Sequence, residues 1–171
     1  MKFLISIIVL SLALTNCGFK PIYSSKNSNF EVIEILNKNK NKNSFEIEKI
    51  IMTLSNQEAV RKVKLEMDYK QSMETILKDN KGDPSKKKLS ISVNLTVKND
   101  NDNILTNKSF SEEFNYVVQS DKFSMTQYED NIVKNLNNKI SNDIIFLLGT
   151  LKWLSKILKL VKRNSINRIF F

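Results

Sequence analysis

One residue able to do covalent chemistry stands apart by its position. Cys17 is the only cysteine among 171 residues, and histidine is absent. Together these facts remove Cys/His zinc sites, imidazole acid–base catalysis, Cys–His nucleophiles and internal disulfides. Serine, lysine and carboxylates remain, but no GxSxG, Gly-rich phosphate loop or HExxH arranges them. No catalytic residue, metal ligand or cofactor is expected, and the chain reads as non-enzymatic. A solitary thiol can still be alkylated, and its surroundings say by what.

Met1-Lys2 leads into an apolar run, Phe3 to Leu14, interrupted only by serines. A positive start, about a dozen apolar residues and a small-residue exit describe a secretory signal peptide. The run is short of the roughly 20 residues that cross a bilayer. It ends in Leu14-Thr15-Asn16-Cys17, which resembles a bacterial lipobox, with Asn16 where Gly, Ala or Ser is usual. Cleavage between Asn16 and Cys17 is expected, with a diacylglyceryl thioether on the sulfur and a palmitate-type chain on the new N-terminus. Two or more chains make membrane residence stable. The alternative is an uncleaved signal anchor with an incidental cysteine. Gly18, rather than Asp, follows Cys17 and resembles the signal for onward transport. The expected address is the periplasmic side of the outer membrane.

Charge divides the rest. The net +9 is concentrated at the end: residues 150–171 hold six basic residues and no acid, and the stretch before them is close to neutral. A nucleic-acid binder would carry its basic charge across the domain, so no nucleic-acid partner is expected. With 41% hydrophobic residues a real core is available. The chain divides into a signal peptide at 1–16, a lipidated linker at 17–29, one folded domain at 30–149 and a basic amphipathic extension at 150–171.

Periodicity supplies the elements of that domain. Phe30–Leu36 is β-rich and predicts a strand. Asn37–Asn43 (NKNKNKN) reads as a solvated turn. Ser44 is positioned to cap a helix whose Ile47, Ile50, Ile51 and Leu54 share one face, with Glu46 and Glu48 in its first turn. Val63, Leu65, Met67 and Tyr69 alternate with polar residues as in a half-buried strand, and its continuation through Met73–Leu77 is left open. Lys78–Ser85 combines Gly82 and Pro84 and predicts a loop. Leu89, Ile91, Val93, Leu95 and Val97 alternate without fault. Asn99–Asn103 is hairpin chemistry, and the return strand Ile104–Val118 places Phe110, Phe114, Tyr116 and Val118 on one face. Thr126 with Glu129 has capping-box spacing. It opens a helix carrying Ile132, Val133, Leu136, Ile140, Ile144, Leu147 and Leu148, with Gly149 at its C-terminal cap. The expected fold is α+β: a two-layer sandwich of a four-stranded, mostly antiparallel sheet and two helices, in the order β-α-β-β-β-α.

Cys17-Gly18-Phe19-Lys20-Pro21-Ile22-Tyr23 resembles the start of the lipopolysaccharide-assembly lipoprotein family LptE in its alphaproteobacterial form. The strand Phe114–Val118, the following helix and the element order are similar to that family as well, over residues 17–150. The resemblance implies a lipoprotein seated in an LptD-like outer-membrane β-barrel, assisting its assembly and delivering lipopolysaccharide to the outer leaflet. It implies two partners besides the membrane, the barrel and lipopolysaccharide.

A ligand with phosphates and acyl chains calls for cations beside apolar surface. Lys81, Lys86, Lys87 and Lys88, on the loop entering the best strand, are the candidates, with a solvated Lys-rich loop as the alternative. Phe110, Phe114 and Tyr116 read as core, or else as contacts with a barrel wall. In the tail, Leu151, Leu154, Ile157, Leu158 and Val161 recur at helical spacing. Lys152, Lys156, Lys159 and Arg163 do the same, with Trp153 as an interfacial aromatic. Such a segment lies on an anionic membrane or binds an acidic partner. It could equally pack on its own domain or fray.

Overall fold

The computed structural model describes residues 28–167, with side chains through residue 151. Cys17, Asn16 and the Gly18–Tyr23 motif lie outside the described residues. The elements run β1 (Glu31–Asn37), α1 (Lys42–Leu54), β2 (Lys62–Lys78), β3 (Pro84–Asn99), β4 (Ile104–Val117) and α2 (Lys122–Asn167). The sheet has the order β1-β2-β3-β4, with β1 parallel to β2 and the other pairs antiparallel. This is the expected α+β sandwich in the expected order.

One-sided burial explains the period-2 pattern. Val63, Leu65, Met67 and Tyr69 of β2 and Leu89–Val97 of β3 turn their apolar side chains into one core. Phe30 and Val32, Ile47 and Ile51 of α1, and Ile132 through Leu148 of α2 close it from the other side. Over the middle of the sheet the second face is polar. Cross-strand neighbours there include Ser92 with Ser111, Asn94 with Ser109 and Thr96 with Asn107. Lys64–Asp102 (2.8 Å), Lys98–Glu66 (2.5 Å) and Lys88–Glu74 (3.0 Å) pair across it. Hydrogen bonding to Asp102 raises Lys64 above its ordinary pKa, and hydrogen bonding to Lys98 lowers Glu66.

Several boundaries differ from the sequence reading. Asn41, not Ser44, caps α1: its side chain accepts from the Ser44 amide (2.8 Å), while Ser44 Oγ accepts from the Asn41 amide (3.0 Å). Asn holds the cap position as well as Ser does, so the helix starts earlier and Glu46 and Glu48 fall after its first turn. Asn37, placed in a solvated turn, is instead the buried end of β1 and donates to Ser44 Oγ at 2.8 Å. The loop after β2 is shorter than expected because Pro84 opens β3 opposite Lys78, a strand position where no amide is needed.

Helix α2 begins at Lys122, not Thr126. Asp121 accepts from the amides of Phe123 (3.2 Å) and Ser124 (3.3 Å). Together with the Ser124 hydroxyl they hold its carboxyl below the usual range, the hydroxyl most. Thr126 hydrogen-bonds back to the Lys122 carbonyl, and Glu129 is used elsewhere. Nor does Gly149 end the helix, which continues to Asn167.

Candidate functional site

The two ends of the sheet differ in chemistry. At the base, where β2 begins, Arg61 donates to Asn29 Oδ1 (2.9 Å) and to the Leu148 carbonyl, while Asn29 Nδ2 reaches the Gly149 carbonyl (3.2 Å). Burial lowers the pKa of Arg61, and its guanidinium lies over the Phe30 ring at 5.9 Å. Arg61 and Asn29 therefore join the start of the domain to the middle of α2. Neither was singled out from the sequence, because a lone Arg after a loop carries no pattern.

The far end is reached by β2, whose 17 residues span roughly 55 Å at an ordinary strand rise. Lys81 sits in the turn between β2 and β3, where Asp79 Oδ1 accepts from the Lys81 and Asp83 amides, both at 2.9 Å. Gly82 has φ +89°, a backbone conformation that a β-carbon disfavours. The other three lysines are on β3 rather than on a loop, and the pleat separates them. Lys87 faces the helix layer and pairs with Glu129 (3.5 Å). Lys86 and Lys88 face the other way, and Lys88 is paired with Glu74, whose hydrogen bond raises its pKa.

The expected cluster of four thus divides. Among the described residues Lys81 and Lys86 have no carboxylate within salt-bridge distance. Lys86 lies in register between Leu77 and Val117, which are 56% and 67% exposed, with Ile76 beside them. A cation flanked by exposed aliphatic side chains is what an anionic amphiphile requires.

On the helix side of the same end, the Tyr116 hydroxyl donates to Glu129 Oε1 (2.6 Å), and the Tyr116 ring meets Tyr128 edge to face at 6.0 Å. Burial, followed by Glu129, raises the Tyr116 pKa. The group stays a protonated donor, which suits a fastening between β4 and α2 rather than acid–base work. Of the three aromatics expected on one face, Phe110 and Tyr116 are buried, but Phe114, on the edge strand β4, is 44% exposed.

A groove of about 520 Å³ runs between the helices, lined by Glu46, Lys49, Ile50, Thr53, Leu54, Lys134 and Asn138. Buried Asn137 underlies this helix pair, donating to the Asn43 carbonyl (3.1 Å) and Glu46 Oε2 (3.4 Å). Among the described residues no group of three or more acidic, His or Cys side chains could hold a metal. The side chains of Lys152, Trp153, Lys156, Lys159 and Arg163 lie outside the described ones; their backbone is part of α2.

No protein-family model matches the chain, and neither does any curated protein sequence. Solved structures do. Lipoprotein B from Nitrosomonas europaea is 11% identical, with 79% of this chain and 92% of that one covered and a TM-score of 0.59. A minor lipoprotein from Acinetobacter baumannii is 10% identical over 77% and 94%, TM-score 0.55. Rare lipoprotein B from Shewanella oneidensis is 10% identical over 76% and 98%, TM-score 0.52. The chain has the fold of these lipoproteins over nearly their whole length.

Proposed function

We propose that this chain is a non-catalytic outer-membrane lipoprotein of the LptE type. It is acylated on Cys17, seated in an LptD-like β-barrel whose assembly it assists, and involved in delivering lipopolysaccharide to the outer leaflet. The observation that carries the reading is the fold shared with three lipoproteins over more than nine-tenths of their length. It is joined to the signal peptide and Cys17-Gly18-Phe19-Lys20-Pro21-Ile22-Tyr23 of the sequence. The middle of the sheet's open face supports it, since its hydroxyl and amide groups and the paired Lys64, Glu66 and Lys98 can lie against a water-lined lumen. The far end supports it too, with Lys86 in register between exposed Leu77 and Val117.

Affinity purification of the tagged chain from detergent-solubilised outer membrane tests this reading. A β-barrel of the LptD kind in stoichiometric amount is expected, and its absence overturns the assignment. A second reading, an envelope lipoprotein that scaffolds another complex or binds a small amphiphile, draws on the groove between α1 and α2. Its apolar Ile50 and Leu54 sit beside Lys49 and Lys134. Recovery of a bound lipid without a barrel partner would favour that alternative.

A further inference from the structure

Helix α2 is 46 residues long, about 69 Å at 1.5 Å per residue, and supplies core side chains from Met125 to Leu151. Among the described side chains Leu151 is the last of the core. Past it the helix runs another 16 residues, to Asn167, or about 24 Å. Gly149 does not interrupt it: a β-carbon placed there would meet nothing within 4 Å. The sequence of this stretch is KWLSKILKLVKRNSIN, without an acid and with apolar residues at helical spacing. Among the described residues no helix is long and apolar enough to cross a membrane.

The extension starts at a telling place. Gly149 and Leu148 give their carbonyls to Asn29 and Arg61, and Arg61 also holds Asn29. Position 149, three residues before the first lysine of the basic stretch, is therefore in hydrogen-bond contact with the point where the chain arriving from Cys17 joins the domain. Residues 17–27 reach at most about 40 Å when fully extended, so an acyl anchor on Cys17 holds the base of the domain near the leaflet.

We infer that residues 152–167 form a second membrane contact, a basic amphipathic helix lying on an anionic leaflet beside the anchor. The inference takes its leaflet from the lipid-anchor reading of Cys17. Charge complementarity selects the occupant: the domain is close to neutral, so its attraction to anionic headgroups is concentrated in this one segment. Anchor and helix at one end fix the orientation of the molecule. The turn carrying Lys81 then stands away from the leaflet at the other end of β2.

Vesicle co-sedimentation of the full mature chain carrying Cys17→Ser tests this without any acyl group. Binding to vesicles containing phosphatidylglycerol is expected, falling with salt and weak on pure phosphatidylcholine. Each basic residue removed should weaken binding about fivefold. The combined Lys152→Glu, Lys156→Glu, Lys159→Glu, Arg163→Glu variant should therefore lose it, while Lys81→Glu with Lys86→Glu should retain it. Absence of binding, equal binding to both vesicle types, or full binding by the tail variant overturns the inference. So does capture by immobilised polyglutamate with no binding to vesicles, which would assign the helix to an acidic protein. Acyl labelling of wild-type and Cys17→Ser chains separately tests the anchor, so either reading can fail alone.

Discussion

Arg61 meets two needs with one guanidinium, capturing a mid-helix carbonyl at Leu148 and the side chain of Asn29 while stacking on Phe30. A charged hydrogen bond in a half-buried site contributes about 2 kcal/mol. Arg61→Ala is expected to lower the unfolding free energy by that order in a denaturant titration. Gly149 has no special backbone need where it stands, inside a helix with open space around it. Gly149→Ala should raise stability by about 0.5–1 kcal/mol, whereas a loss would mean that the helix ends there after all. Two phenols give a pH prediction. Burial pushes Tyr69 up to about 12 from 10.0 and raises Tyr116 as well. A group whose folded pKa is raised contributes stability that is complete below the unfolded value and is lost as pH climbs through the folded one. Thermal unfolding midpoints should therefore hold up to about pH 10 and fall above it, with phenolate absorbance rising in step. A midpoint that rises above pH 10 would contradict this.

The strands were legible because burial is one-sided. Leu89, Ile91, Val93, Leu95 and Val97 alternate with polar residues for a physical reason, as one face meets two helices and the other meets solvent. Helix ends were less legible. Asn41 and Ser44 both suit a cap, as do Asp121 and Thr126, and the choice depends on contacts made only after folding. Asn41→Ala and Asp121→Ala should each cost about 1 kcal/mol, measurable by chemical denaturation, while Thr126→Ala should cost much less. The lysine run misled for a geometric reason: consecutive strand residues face opposite ways, so Lys86, Lys87 and Lys88 cannot act as one patch. This narrows the candidate site to Lys81 and Lys86. Replacing both with Gln should weaken lipopolysaccharide binding about tenfold in a solution binding assay, without shifting the unfolding midpoint. Lys87→Gln should instead loosen the fastening to Glu129 and leave binding alone.

For the whole molecule, two features place chemistry at opposite ends of a long sheet. The base gathers the entry from Cys17, the Arg61–Asn29 junction and the start of the basic helix stretch. The far end presents an unpaired cation among exposed Leu77 and Val117. The Cys17 motif was readable because it is local in sequence. The base junction was not, because its partners Asn29, Arg61 and Leu148 are far apart along the chain. If the molecule serves as the partner of an outer-membrane barrel, the barrel must depend on it. The most direct measurement is the amount of folded, heat-modifiable LptD-like barrel in outer membranes as the chain is depleted. The account predicts that folded barrel declines with depletion, recovers when the wild-type chain is restored, and recovers poorly with Cys17→Ser. Barrel levels and folding that stay constant through full depletion would contradict it.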